Sequence, residues 1–425
     1  MSVLAWIALG SCAVWAWLLL GQGLFWRTDQ RLPHTPPEPG GRRPGGGWPS
    51  VAVVVPARDE AEVLPVSLPS LLAQDYPGRA EVVLVDDGST DGTGDLAREL
   101  SERCGGLPLS VVSPGPPEPG WTGKLWAVRY GIGVARARSG DDHGPATGRD
   151  AGAGPRTGTG TGPGRTPADF LLLTDADIAH EPDSLRRLVA AARAHELDLV
   201  SQMARLRVAN IWERLIVPAF VYFFCQLYPF RWINRDGART AAAAGGCVLL
   251  RAEAAERARI PDAIRDAVID DVALARAVRR AGGRIWLGLA EHVDSVRPYP
   301  GLADLWRMVA RSAYAQLRHS ALLLAGTVAG LALVYLAPPV CLAAGVLTGD
   351  GVAAWAGGAA WAVMAGTYVP ILRYYRQPLW PAPLLPVTAL LYLLMTVDSA
   401  VRHHQGRGAA WKGRTYPRPQ AAPER

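Results

Sequence analysis

Both ends of the chain carry apolar stretches that are long enough to cross a lipid bilayer, which limits how the chain can fold. These stretches are residues 3–26, 321–347, 352–371 and about 379–401. A bilayer core of roughly 30 Å needs about 20 apolar residues in a helix. A cleaved signal peptide is the alternative for the first stretch, but the basic start of such a peptide is missing. The sequence therefore predicts one transmembrane helix in 1–27, two or three transmembrane segments in 321–401, and a folded domain between them.

The charges beside the first apolar stretch predict the side of the membrane on which the central domain lies. Arg27, Arg31, Arg42 and Arg43 follow that stretch. Basic residues near the ends of transmembrane helices prefer the cytoplasmic side. We therefore expect a multi-pass protein of the inner (plasma) membrane with its central domain in the cytoplasm.

The side of the membrane predicted for the tail conflicts with a full span by the last apolar stretch. A full span would leave the tail (402–425) outside, yet the tail is basic and contains Lys412. Pro381, Pro383 and Pro386 crowd the stretch, which leaves a broken or re-entrant hairpin open. We expect a cytoplasmic tail with Lys412 near the membrane surface.

Between the membrane segments, short β-rich runs alternate with helical patterns. The predicted strands are residues 51–57, 81–87, 109–113, 170–177, 198–203, 247–251 and 284–290. The first four are almost wholly apolar, which is typical of strands that are covered on both faces in a parallel sheet. We predict one α/β domain with a mainly parallel, Rossmann-like sheet over 51–300, joined to the first helix by a Pro/Gly-rich linker over 28–50. Residues 136–168 are rich in Gly, Pro, Thr and Arg, and predict a disordered insertion in this domain.

Two further segments are expected beside the membrane. The apolar spacing of residues 302–319 predicts an amphipathic interfacial helix over 301–320, with an ordinary core helix as the alternative. Residues 211–230 are aromatic and apolar but contain Glu213 and Pro218. For these residues, contact with the membrane surface or with an acceptor groove is favoured over a full span.

Acidic residues follow several of the predicted strands, at the sheet edge where open α/β sheets bind ligands. The acidic sites are Asp59 and Glu60, Asp86 and Asp87, Asp175 and Asp177, and Asp270 and Asp271. Each pair alone could be a helix cap. Together they predict a site that holds a hard divalent cation through oxygen ligands, with a diphosphate as a further ligand. A carboxylate at a helix start could take a proton from an attacking hydroxyl.

The motifs VVVPARDE, VVLVDDGSTDGT, TDAD and IDDVALARAVRRAGG, in this order, resemble the family 2 glycosyltransferases over roughly 51–320. That resemblance implies a GT-A fold and a nucleotide-activated sugar donor, with uridine diphosphate as the nucleotide by analogy. The flanking segments GWTGKLWA, PAFVYFFCQLYPF, AAAAGGCVLLR and RSAYAQLR resemble the hopene-associated glycosyltransferases of bacterial hopanoid clusters.

The family resemblance also implies roles for individual residues. The nucleotide pocket would be lined by Arg58, Glu60 and Asp87, with Asp87 facing the base. The Asp-x-Asp pair would be Asp175 and Asp177, with Asp177 as the direct ligand of Mg²⁺ or Mn²⁺. The general base would be Asp271, but Asp270 replaces the family's usual glutamate, so either aspartate could act. Gly245 and Gly246 would let backbone approach the sugar or the acceptor, although a tight turn before a strand explains them nearly as well.

The segment QLRHS departs from the pattern of the processive enzymes in this family. Those enzymes carry Gln-x-x-Arg-Trp, whereas this chain has Gln316 and Arg318 with no following tryptophan. The two residues are acceptor-side candidates, and transfer of a single sugar to a lipid is favoured over polymer synthesis.

Lys124 is one of two lysines in a chain with 44 basic residues. It follows Gly123 at a predicted helix start, where backbone amides and a compact cation favour phosphate. We predict that Lys124 binds the donor diphosphate. An accidental lysine on a solvated helix start is the alternative.

The family resemblance implies an inverting, metal-dependent glycosyltransferase, and with the apolar segments it predicts a membrane-bound enzyme with a lipid acceptor. Alternative acceptors to a hopanoid are ceramide, a diacylglycerol, a carotenoid and polyprenyl phosphate. The alternative outside the enzymes is an inactive membrane scaffold that keeps the same fold. A transporter is disfavoured because the C-terminal segments hold almost no charge except Asp398. The net charge of +6 without long basic runs argues against a nucleic-acid partner.

Overall fold

The computed structural model describes residues 1–33, 47–138, 168–405, 410–411 and 414–415. Most of the predicted insertion (136–168) lies outside the described residues, and so does Lys412. The expectations for both therefore stay predictions.

Eight strands form one mixed, mostly parallel sheet. The strands are β1 (Val51–Ala57), β2 (Ala80–Asp86), β3 (Leu109–Val112), β4 (Phe170–Thr174), β5 (Ile178–His180), β6 (Leu199–Leu206), β7 (Cys247–Arg251) and β8 (Ile285–Ser295). Their order across the sheet is β3-β2-β1-β4-β7-β6-β8-β5. β1 to β4 are parallel, as are β6 and β8, whereas β7 is antiparallel to both of its neighbours and β5 is antiparallel to β8. Every residue of β1 is buried, as its continuous apolar sequence predicts for a strand covered on both faces.

The helices cover both faces of this sheet and form an apolar bundle beside it. In chain order they are α1 (Val3–Leu20), α2 (Leu64–Leu72), α3 (Thr93–Cys104), α4 (Gly123–Arg138), α5 (Ser184–Ala194), α6 (Ile211–Leu227), α7 (Phe230–Ile233), α8 (Ala252–Arg257), α9 (Asp270–Arg280), α10 (Leu302–Ala310), α11 (Ala313–Gln316), α12 (Ala321–Leu331), α13 (Ala337–Thr348), α14 (Gly351–Tyr374) and α15 (Leu385–His404). A π-helical turn joins α12 to α13. Two-residue strands β9 (Ala410–Trp411) and β10 (Arg414–Thr415) pair in the tail.

Five helices in the described part of the chain are long and apolar enough to cross a membrane. They are Val3–Leu20, Ile211–Ile233, Ala321–Thr348, Gly351–Tyr374 and Leu385–His404. The N-terminal helix packs against the C-terminal ones, as shown by the hydrogen bond of 2.7 Å that Trp15 Nε1 donates to the carbonyl of Val334. The two ends of the chain therefore build one bundle.

The predicted single helix over 302–319 is divided into α10 and α11. Ser399 of α15 explains the break, because its hydroxyl donates to the carbonyl of Ala310 and accepts from the amide of Tyr314 at 3.1 Å. An uninterrupted α-helix would join that same carbonyl and amide to each other. A contact with a distant helix thus replaces the local hydrogen bond.

Residues 375–404 leave the α/β domain and return to it. Tyr374, at the end of α14, donates a hydrogen bond of 2.5 Å to the carbonyl of Ala290 in β8. The carbonyl of Pro383 accepts from Trp361, near the middle of α14, at 3.0 Å. At the other end of α15, His403 stacks on His319, just before α12, with ring centroids 4.1 Å apart. The path turns back beside the segment that precedes α12, and the broken or re-entrant hairpin that the three prolines leave open stays a prediction.

Candidate active site

The carboxyl edge of the sheet opens into a cavity of about 740 Å³. Asp175 and Asp177 lie between β4 and β5, and Asp270 and Asp271 begin α9. Lys124 lies in the first turn of α4. All five residues line the cavity. The structure therefore brings together residues that are up to about 150 positions apart in the sequence.

Lys124 joins the two acidic pairs. Its Nζ lies 2.9 Å from Oδ1 of Asp175 and 3.0 Å from Oδ2 of Asp270. Burial alone would lower the pKa of this ammonium, but the two carboxylates raise it well above its ordinary value. Lys124 is therefore fully charged at neutral pH. Burial raises the pKa of Asp175, an effect that Lys124 opposes and that Asp177 and Asp270 reinforce.

Asp271 is held at the amino end of α9 by backbone amides. Its Oδ2 accepts a hydrogen bond of 3.0 Å from the amide of Gly245, and its Oδ1 accepts one of 2.7 Å from the amide of Val272. Burial, followed by the neighbouring Asp270, raises the pKa of Asp271 to about 7. A carboxylate with such a pKa can accept a proton and release it near neutral pH.

Gly245 and Gly246, the two glycines predicted on the acceptor side, have different structural roles. Gly245 supplies the amide that holds Asp271. A Cβ atom on Gly246 would lie 3.1 Å from Cδ1 of Ile178, so close packing against β5 disfavours any larger residue there.

Asp177 is paired with Arg297, a residue that the sequence analysis did not single out. Oδ2 of Asp177 accepts from the hydroxyl of Ser295 at 2.9 Å and from Nε of Arg297 at 3.2 Å. Arg297 Nη2 also donates to Oε2 of Glu60 at 2.6 Å. Arg297 is the second residue after β8, so its position near a strand end was the one sequence signal that could have distinguished it from the other arginines.

The remaining nucleotide-pocket candidates lie beside this network. Arg58 Nη1 donates to the carbonyl of Asp87 and lies 3.6 Å from the carboxylate of the same residue. Asp87 is 1% exposed, and its carboxylate is thus buried against a cation. Neither residue lines the cavity, whereas Glu60 does.

The acceptor-side candidates Gln316 and Arg318 do not reach the cavity. Nε2 of Gln316 donates to the hydroxyl of Tyr228, and Arg318 is exposed. Neither residue is among those that line the cavity. The residues of the same segment that do line it are Tyr314, Ala315 and His319.

The end of the cavity nearest the bundle is apolar and basic. Phe220 and Phe224 of α6 and Met308 of α10 line it. The basic residues there are Arg307, Arg311, His319, Arg402 and His403. Arg307 pairs with Asp304, and Arg402 pairs with Asp398 at 2.8 Å.

The acidic residues fit a hard divalent cation. Asp175, Asp177, Asp270 and Asp271 supply carboxylate oxygens to one cavity, which is the donor chemistry that Mg²⁺ and Mn²⁺ prefer. Asp177 and Asp270 add to the effect of burial on the pKa of Asp175, so the acidic residues act on one another at this edge. A separate group, formed by Glu181, Asp183 and His292, lies outside the cavity, and Arg187 already pairs with its Asp183 at 2.6 Å.

A mostly parallel α/β sheet with an Asp-x-Asp pair at the end of a central strand, facing a helix that begins with Asp-Asp, is the arrangement of the GT-A fold. The sequence model described as "Glycosyltransferase like family 2" matches residues 49–315, more than half of the chain. The chain belongs to that family.

Curated relatives match over short stretches. "Probable glycosyltransferase YdaM" of Bacillus subtilis is 34% identical over 67 residues, which are 16% of each chain. "4,4'-diaponeurosporenoate glycosyltransferase" of Staphylococcus haemolyticus is 39% identical over 62 residues, 15% of this chain and 16% of that one. The matched stretches thus span about a sixth of the length of these relatives.

Among solved structures, the chain is similar to the mannosyltransferase PcManGT from Pyrobaculum calidifontis, determined in complex with GDP-Man and Mn²⁺. The TM-score is 0.53 at 19% sequence identity, over 93% of this chain and 99% of that chain. This likeness shows a shared fold. The predicted fold class, a GT-A-type, mainly parallel sheet with N- and C-terminal apolar helices, is confirmed.

Proposed function

We propose that the protein is a membrane-bound, inverting glycosyltransferase that moves a sugar from a nucleotide-sugar donor to a lipid acceptor. The observation that carries this proposal is the cavity itself. It holds the acidic residues and Lys124 at the sheet edge, and it reaches Phe220 and Phe224 of the apolar bundle. A polar donor and an apolar acceptor can therefore meet in one space.

Asp271 is proposed as the general base. Asp270 is engaged by Lys124, whereas Asp271 has no cation within hydrogen-bonding distance among the described residues. Its two backbone hydrogen bonds fix the direction of the carboxylate. In this role Asp271 takes the proton of the acceptor hydroxyl as the hydroxyl oxygen bonds to the anomeric carbon, and the bond from that carbon to the diphosphate breaks.

Asp177 and Asp175 are proposed to hold Mg²⁺ or Mn²⁺ with the donor diphosphate. When bound, the metal would stabilise negative charge on the leaving diphosphate. Lys124 is proposed to contribute a further positive charge to that diphosphate. The nucleoside would lie towards Glu60, Arg58 and Asp87, with uridine diphosphate as the proposed nucleotide.

The proposed acceptor is a hopanoid or a related lipid, on the resemblance of the flanking segments to the hopanoid-cluster enzymes. The name of the Staphylococcus haemolyticus relative, which gives diaponeurosporenoate as its substrate, supports an apolar acceptor in the wider family. The proposed location is the inner membrane with a cytoplasmic catalytic domain.

Replacement of the base tests the mechanism. We expect Asp271→Asn to abolish sugar transfer while nucleotide binding persists, because the amide is nearly isosteric but cannot take the proton. Transfer would be measured with a radiolabelled nucleotide sugar, and nucleotide binding by calorimetry. Asp262→Asn, on the exposed turn before α9, is the matched control. A normal transfer rate in Asp271→Asn would remove Asp271 as the base.

A phosphate-bearing lipid such as polyprenyl phosphate is the second candidate acceptor, and the basic end of the cavity favours it. Lipid profiling of a deletion strain separates the two candidates. A missing glycolipid with its accumulated hopanoid aglycone supports the first, and loss of a sugar-linked polyprenyl phosphate supports the second. An unchanged lipid profile would contradict both.

A further inference from the structure

Each carboxylate of the Asp-x-Asp pair already has a protein cation beside it. Lys124 Nζ lies 2.9 Å from Asp175, and Arg297 Nε lies 3.2 Å from Asp177. These are the carboxylates proposed to hold the metal. A metal ion that arrives alone must therefore compete with an ammonium and a guanidinium for the same oxygens.

Both cations also pair with a second acid from another part of the fold. Lys124 reaches Asp270 at the start of α9, and Arg297 reaches Glu60 after β1 at 2.6 Å. Four carboxylates thus face these two cations. Removal of either cation without a replacement would leave like charges facing each other in a partly buried site, which is costly.

If a nucleoside diphosphate and a divalent metal bind together, the metal no longer competes with the two protein cations for the carboxylates. The phosphate oxygens can accept from Lys124 and Arg297, and the carboxylates are then open to the metal. Lys124 is suited to such a move, because an ammonium on a flexible four-carbon stem can turn from one anion to another. Its neighbouring backbone amides at the start of α4 also favour phosphate.

We propose that Lys124 is a positioning residue that takes the place of the metal at Asp175 in the donor-free protein and moves to the donor diphosphate when metal and nucleotide bind together. Metal and nucleotide then bind cooperatively. The inference rests on the proposed function, because it takes a nucleoside diphosphate as the ligand of this cavity.

The experiment measures Mn²⁺ binding to the purified full-length protein by electron paramagnetic resonance, alone and with saturating UDP or GDP. We expect wild-type protein to bind Mn²⁺ at least about tenfold more tightly with one of the nucleotides, which is within the usual range of coupling between two ligands. Lys124→Met should bind Mn²⁺ alone more tightly than wild type, and the nucleotide should enhance its Mn²⁺ binding less. Arg129→Met, on the same helix but outside the cavity, is the matched control and should behave as wild type.

Lys124→Arg provides a second variant that keeps the charge and the carboxylate pairing. We expect it to bind Mn²⁺ alone as weakly as wild type does, and to bind the nucleotide more weakly, because the planar guanidinium cannot make the same move. Thermal unfolding of each variant with and without Mn²⁺ reports whether it is folded.

Equal Mn²⁺ affinity with and without nucleotide in wild-type protein would overturn the inference, and this measurement needs no variant. Lys124→Met and Arg129→Met with the same Mn²⁺ affinity would also overturn it. If wild-type protein shows coupled binding of Mn²⁺ and nucleotide but transfers sugar to no lipid, the proposed function fails and the inference stands. Sugar transfer without the coupling would leave the proposed function standing and remove the inference.

Discussion

Asp271 shows how much the surroundings of one residue decide its chemistry. An aspartate in water is ionised at neutral pH, but burial and the adjacent Asp270 raise the pKa of this carboxyl to about 7, against the opposing charge of Lys124. The protonated form is inactive as a base, so the active fraction grows as the pH rises through that value.

We therefore expect kcat/KM for sugar transfer to increase with pH and to reach half of its maximum near the pKa of Asp271, about 7. The measurement is a pH profile of kcat/KM, with the dissociation constant of UDP measured over the same range as the control. A kcat/KM that stays constant from about pH 6 to pH 8 would show that no group with such a pKa limits the reaction.

At the scale of helices and strands, the junction of α10 and α11 depends on one distant hydroxyl. Ser399 is buried and hydrogen-bonds both the carbonyl of Ala310 and the amide of Tyr314. Loss of the hydroxyl leaves two backbone groups without this partner, which costs roughly 1–3 kcal/mol when such groups are buried.

We expect Ser399→Ala to lower the thermal unfolding temperature of the detergent-solubilised protein. Thr396→Ala is the matched control, because the hydroxyl of Thr396 donates to the carbonyl of Tyr392 within α15 and to no other group in the described part of the chain. If Ser399→Ala is no less stable than Thr396→Ala, then the junction is not held by Ser399.

The same elements show where sequence reasoning reached its limit. Strands such as β1 could be predicted because their apolar runs are continuous. The position of Asp175 and Asp271 at one edge of the sheet could be predicted because one follows a strand and the other begins a helix. β5 was missed because three residues carry no readable period. The α10–α11 break was missed because the partner serine is 89 residues away from Ala310. Arg297 was missed for the same reason, since its role depends on Glu60 and Asp177.

At the scale of the whole molecule, the bundle and the α/β domain share one cavity, and the last hairpin contacts β8 at one end and the segment before α12 at the other. Tyr374 bonds to β8, and His403 stacks on His319. A full crossing by α15 predicts His403 on the side of the membrane opposite to the α/β domain. The prolines and the basic tail leave both topologies open, and the packing of α15 beside Tyr314 favours the one that keeps both ends of the hairpin on one side of the membrane.

We therefore expect a reporter fused after Gln405 to lie on the same side of the membrane as the α/β domain. A fluorescent protein that matures only in the cytoplasm should be active there, and a phosphatase that is active only in the periplasm should be inactive. The chain offers its own control, because the turn at Gly349 and Asp350, between α13 and α14, lies at the opposite end of the bundle and should give the reverse result with both reporters. Phosphatase activity after Gln405 would mean that α15 spans the membrane, and the basic end of the cavity, which includes Arg402 and His403, would then have to be formed differently in the membrane.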